Sequence, residues 1–184
     1  MKPVLFIFSG LPGAGKTTIA KGVAHYLNAP YFRLDTIEHG LREICGISVQ
    51  GEGYRLTYRI VADNLNIGND VVVDCCNPWE LTRKEWENVA IANHCGYVNI
   101  EIVCSDKNEH QARVEGREND INGFTLPSWE DAQNRDYQEW NEERIIIETS
   151  RRPLHECLAE LLENVGRKKQ NLDFHELEAK MTEQ

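Results

Sequence analysis

Residues 10–17 read Gly10-Leu11-Pro12-Gly13-Ala14-Gly15-Lys16-Thr17, and this stretch organises everything around it. It satisfies G-x-x-x-x-G-K-[ST] at Gly10, Gly15, Lys16 and Thr17. Glycines let the backbone wrap tightly, so that its N–H groups point inward at phosphate oxygens. Lys16 is then placed to reach the outer phosphates, and the hydroxyl of Thr17 to ligate Mg²⁺. A helix starting at Lys16 adds its positive N-terminal dipole to the same anion, which brings Thr18 into the candidate binding set.

The flanks agree with that reading. Val4 to Phe8 is an apolar, β-rich run that ends at the loop, as a buried parallel strand does. Beyond the loop, Ile19, Ala20, Val23, Ala24 and Leu27 recur at helical spacing until Asn28 and Pro30 stop the pattern. Working outward, the pattern predicts strands near 31–34, 71–75, 98–104 and 145–148. Helices are predicted over 36–45, 54–67, 79–94, 107–118, 129–140 and 153–165. Strands alternating with helices specify an α/β fold, a doubly wound five-stranded parallel sheet in one domain over residues 1–165. Ligands in such sheets bind beyond the carboxyl ends of the strands. Asp35, Asp74 and the loop from Thr149 to Arg152 all fall at that edge.

With 184 residues, 41% of them apolar and 27% charged, the chain has the composition of an ordinary soluble globular protein. No apolar run is long enough for a membrane span, and Met1-Lys2-Pro3 leads straight into the first strand without a signal peptide. The net charge of −10 argues against a nucleic-acid partner. The six cysteines show no C-x-x-C and no metal spacing, which reads as reduced thiols in a cytoplasmic protein. Residues 166–184 form a polar tail. Oligomeric state is not encoded legibly.

A phosphate cradle, a divalent cation, an acid at the acceptor and cations for the transition state are the parts of a phosphotransferase using ATP and Mg²⁺. Asp74, closing an apolar strand, is the expected second acid at the metal, with helix capping or turn formation as its plainer alternative. Asp35, closing the second strand, is the expected base for an acceptor hydroxyl, or else the cap of the helix starting at Thr36. Arg113 and Arg117, four apart on one expected helix, would share a face at the base of a helical lid over 107–143. Their plainer alternative is intrahelical pairing with Glu109 or Glu118. That background is acidic, with eleven acidic and four basic residues between Ser105 and Glu143. Trp129, Tyr137 and Trp140, at spacings of eight and three, are expected on one helical face. His39, His94 and His110 read as structural or exposed.

The chain resembles the small P-loop kinases related to polynucleotide 5′-hydroxyl kinase, zeta-type toxins and adenylylsulfate kinase. The resemblance is carried by GLPGAGKT at 10–17, LDTIEHGL at 34–41, VVVDCCNPWELTR at 71–83, ARVEGRE at 112–118 and the aromatic segment from 129. It spans residues 4 to about 163. It implies strand order 2-3-1-4-5, a nucleoside-monophosphate-kinase-like fold, ATP with Mg²⁺, Asp35 as base, Asp74 in the metal and acceptor region, and Arg113 and Arg117 as lid arginines. It also places the loop ending at Arg152 near adenine. Glu38 stands where these relatives carry an arginine that holds an anionic acceptor, which points to a neutral or cationic hydroxyl- or amine-bearing small molecule. The alternatives are a kinase of nucleic-acid 5′ ends and a nucleotide-binding regulator without a separate acceptor.

Overall fold

Val4–Ser9 (β1) is buried at all six positions, so it has to be central, and the sheet is built around it. The computed structural model describes residues 2–182, with side chains through 169. Five parallel strands run β2-β3-β1-β4-β5 across the sheet, where β2 is Tyr31–Arg33, β3 Val71–Asp74, β4 Gly96–Val103 and β5 Ile145–Glu148. The expected strand order is therefore the observed one. Register aligns Phe8 with Asp74 and Asp74 with Arg33, so the ends of β1, β3 and β2 lie side by side next to the loop at 10–15.

Alternation along the central strands feeds two cores. Phe6, Phe8, Val72, Ile100 and Ile102 point to one face, against Ile19, Ala20 and Val23 of α1 (Lys16–Leu27) and Cys157, Leu161 and Val165 of α7 (Leu154–Thr182). Leu5, Ile7, Val71 and Val73 point to the other face. They meet Val61 and Leu65 of α3 (Glu52–Asn66) and Trp86 and Ala90 of α4 (Glu80–Ala92). All six cysteines are free thiols.

Three expected elements differ from the structure. The helix after β2, α2, runs Leu34–Cys45, so Asp35 lies in its first turn instead of ending a strand, and its side chain does not cap the helix. The helix carrying Arg113, α5, is Lys107–Glu115 and stops at Gly116, so Arg117 stands outside it and shares no helical face with Arg113. Glycine is a weak helix former and terminates the run there. The helix α6 covers only Trp129–Gln133, so Tyr137 and Trp140 lie on an extended return segment. That segment leaves the helix because it docks elsewhere: the Gln138 N–H donates to the Pro78 carbonyl at 2.8 Å. The tail expected at 166–184 begins within α7, and the side chains beyond 169 and residues 183–184 lie outside the described residues.

Candidate active site

The loop between β1 and α1 is shaped by three glycines with positive φ: Gly10 at 140°, Gly13 at 82° and Gly15 at 96°. A side chain at Gly10 would run into the Ile102 carbonyl, and one at Gly13 into Val114 of α5. Only glycine fits either place. The loop is also held from outside. The Gly10 N–H donates to the Cys76 carbonyl at 3.1 Å. His110 Nε2 lies 2.7 Å from the Pro12 carbonyl, and the Thr149 hydroxyl donates to the Ala14 carbonyl at 2.9 Å. Thus α5 and the loop after β5 both brace the turn.

The loop floors a cleft of about 730 Å³. Leu11, Pro12, Gly13, Gly15, Lys16, Thr17 and Thr18 line it, together with Asp35, Arg113, Arg117 and Arg152. Gly10, Ala14 and Asp74 are not in the lining; the first two shape the turn from behind and Asp74 lies beneath Lys16.

Lys16 and Asp74 form an almost wholly buried ion pair, with Nζ 3.1 Å from Oδ1. Burial alone would raise the Asp74 carboxyl, but the Lys16 charge, the Tyr31 hydrogen bond and the nearby Thr17 hydroxyl outweigh it and hold the group below its ordinary value. Burial works against the Lys16 ammonium too, and the charges of Asp74 and Asp35 more than reverse it. Tyr31 OH donates to Asp74 Oδ2 at 2.7 Å, while Oδ1 has no hydrogen bond of good geometry. A buried, under-bonded carboxylate oxygen beside the Thr17 hydroxyl fits a divalent cation arriving with a phosphate. Among the described residues no group of three or more His, Cys, Asp or Glu is placed to hold a metal. Thr17 and Asp74 would therefore supply a minority of the ligands, the rest coming from phosphate and water.

The arginines divide sharply. Arg113 is tied down: Nη1 donates to the Thr149 hydroxyl at 2.9 Å, and Nη2 to the Thr149 carbonyl at 2.9 Å and Glu109 Oε1 at 2.6 Å. Arg152 likewise donates to the Glu148 carbonyl and Glu160. Arg117 is different. Its Nε is buried with no hydrogen-bond partner, and burial pulls its guanidinium below the ordinary value, with the like charge of Arg33 adding to the effect and Asp35 opposing it.

Several residues of the site escape sequence reading. Arg33 lines the cleft with a side chain only 9% exposed; its Nη1 donates to both carboxylate oxygens of Asp120, at 2.8 and 2.9 Å. Lys21 Nζ reaches the same carboxylate at 3.0 Å, so Asp120 pins the 117–127 stretch to β2 and α1. Only the strand register reveals Arg33 beside Asp74. Arg83 is fully buried and donates to the carbonyls of Asn77, Pro78, Gln138 and Glu139, with its guanidinium 4.0 Å from the Trp140 ring centre and 5.1 Å from that of Tyr137. It clamps the return segment onto the loop after β3. Arg135, carried on that segment, lines the cleft as well. Glu38, expected at the acceptor, is absent from the lining; it pairs with Arg42 at 3.3 Å and packs against Gly53.

A parallel 2-3-1-4-5 sheet with a glycine loop running from its central strand into a helix defines a P-loop NTPase of the kinase-like type. A family model described as an AAA domain matches residues 5–139, and the chain belongs to that family. No curated protein sequence matches significantly. Among solved structures, a gluconokinase from Sinorhizobium meliloti superposes with a TM-score of 0.68 at 19% identity, covering 94% of this chain and 97% of that one. The Mycobacterium tuberculosis APS kinase in complex with AMPPNP and APS gives 0.62 at 15% identity, covering 90% and 98%. Chaetomium thermophilum Kti12 in complex with ADP-AlF3 gives 0.63 at 16% identity, covering 86% and 97%. These likenesses establish the fold. No helix among the described residues is long and apolar enough to cross a membrane.

Proposed function

We propose that the protein is an ATP-dependent phosphotransferase that moves the γ-phosphate to a hydroxyl of a small molecule. The observation that carries this reading is the convergence of Lys16, Thr17, Asp35 and Arg117 on one cleft above the buried Asp74. Kinase names among the structural neighbours, one of them captured with AMPPNP, support it further.

In this reading the loop amides and Lys16 bind the triphosphate, and the Lys16–Asp74 pair keeps the ammonium fixed between the loop and the strand end. Thr17 and Asp74 would hold Mg²⁺, which would supply positive charge against the phosphate oxygens. Asp35, half-exposed at the start of α2, accepts the proton of the acceptor hydroxyl. Arg117 balances charge on the transferred group, its planar fork suiting phosphate oxygens. Arg113 acts at one remove, holding Thr149 and through it the Ala14 carbonyl.

Incubation with γ-labelled ATP and a metabolite extract tests the reading. Label appearing in a discrete small molecule, lost in Lys16→Ala, is the expected result. Phosphate release that no extract component accelerates would instead favour a nucleotide hydrolase without an acceptor.

A further inference from the structure

A second cavity, of about 540 Å³, lies at the edge of the sheet opposite the phosphate loop. It opens where β4 and β5 begin, at Gly96, Tyr97 and Ile145, and Glu87 of α4, Glu142 and Glu143 at the end of the return segment, and Lys168 of α7 line it too. It shares no residue with the cleft.

Its charges are out of balance. Arg144 is spent on Glu101, with Nε 2.6 Å from Oε2, and Lys168 is spent on Glu143. Among the described residues, Glu87 takes only the side-chain amide of Asn99, at 2.6 Å, and Glu142 only the N–H of Asn141, at 3.3 Å. Lys84 feels both carboxylates but is bound to Glu80. Tyr97 responds to the same field: after burial, the charges of Glu87, Glu143 and Glu142 push its phenol above the ordinary value.

Asn99 is an independent sign of a ligand. It is only 3% exposed, lines the cavity and gives its amide N–H to Glu87, yet its Oδ1 receives no hydrogen bond. A buried acceptor without a donor costs as much as a lost hydrogen bond. What the cavity lacks is therefore a positively charged N–H donor. A metal ion does not suit it, because no group of three or more His, Cys, Asp or Glu among the described residues converges to hold one. Carboxylates spread round a cavity with Tyr97, Val98 and Ile145 as apolar wall suit an extended cation instead, one with separated ammonium groups and an alkyl chain.

We propose that this cavity binds a small aliphatic polyamine. One ammonium sits between Glu87 and the Asn99 side-chain carbonyl, a second at Glu142, and the chain lies along Tyr97. The site does not depend on the phosphotransferase reading. It does touch the cleft indirectly, since Glu142 and Glu143 end the segment that carries Arg135 there.

The test titrates the full chain calorimetrically with spermidine at fixed ionic strength and, in parallel, with an oligolysine peptide. Saturable one-to-one binding of spermidine is expected, undisplaced by equimolar Mg²⁺, with slower hydrogen exchange over 139–145. Glu87→Gln and Asn99→Leu should each weaken it about tenfold, the scale for losing a hydrogen bond to a charged group. Lys168→Gln should strengthen it several-fold by freeing Glu143, a gain that damage to the fold cannot mimic. Glu43→Gln, on α2, should change nothing. No saturable binding, displacement by equimolar Mg²⁺, or equal losses in Glu87→Gln and Glu43→Gln (general attraction to a chain of net charge −10) overturns the site. Binding of the peptide without binding of spermidine also overturns it, since the face would then serve a protein partner.

Discussion

Lys16 Nζ lies 3.1 Å from Asp74 Oδ1, with the two side chains 11% and 1% exposed, so the residue expected to meet phosphate is charge-paired before any phosphate arrives. Removing one partner of such a pair leaves an uncompensated buried charge and costs about 3–5 kcal/mol. The Asp74 carboxyl is held below its ordinary value in the folded protein, so its contribution is present above the unfolded carboxylate range and is lost as pH falls. Lys16→Met should therefore lower Tm most near neutral pH, and the gap to wild type should narrow as pH drops through 5 toward 3. Thermal melts across that range check it; a gap that stays constant would mean the pair does not couple to Asp74 ionisation.

Asp35→Asn keeps the size of the side chain and removes its basicity. Phosphoryl transfer should fall by about 10²- to 10⁴-fold, the range for loss of a general base, with nucleotide affinity unchanged. Single-turnover rates alongside nucleotide titration separate the two effects. Lost nucleotide affinity with intact transfer would move Asp35 from the acceptor to the metal.

Asp120 holds the 117–127 stretch down through Arg33 and Lys21, whose hydrogen bonds draw its carboxyl to about 2 against a small opposing effect of burial. The group stays ionised at every pH above about 4, and the latch is lost only as pH falls toward 2. Hydrogen exchange over 118–126, corrected for intrinsic rates, should thus be flat between pH 5 and 9 and speed up in Asp120→Asn. High salt should speed it in the wild type also, because the pair is partly exposed to solvent.

Arg83 feeds four backbone carbonyls from one buried guanidinium. Arg83→Met strands those acceptors, and a loss of about 3 kcal/mol is expected from unsatisfied buried groups. For a chain of this size that is a Tm drop of about 6–12 °C. Arg83→Lys should not restore it, since an ammonium lacks the planar fork that spans both segments. Wild-type melting of the lysine variant would show that charge alone holds the return segment.

The parallel α/β sheet and the phosphate loop were legible because each rests on a local signal: the continuous apolar run of β1, helical spacing behind Lys16, and glycines at fixed positions. The strand order came from the family resemblance. What was missed depends on distance along the chain. Arg33 looks like an ordinary strand residue until register sets it level with Asp74. Arg83 looks like a solvated helix charge until residues 137–140 fold back over it. Reading Arg117 onto the helix of Arg113 failed at Gly116, where a single glycine outweighed the periodicity around it. Glu38, read from motif position as facing the acceptor, turned to Arg42 one helical turn on, an i,i+4 pairing the sequence already contained.

Calorimetric titration of the purified protein with MgATP tests the central claim, that a triphosphate binds in the cradle of residues 10–17. Saturable one-to-one binding is expected, weakened about 10- to 100-fold in Lys16→Ala, as loss of a charged hydrogen-bond partner implies. Absence of binding to the wild type, or equal affinity in the variant, would contradict it.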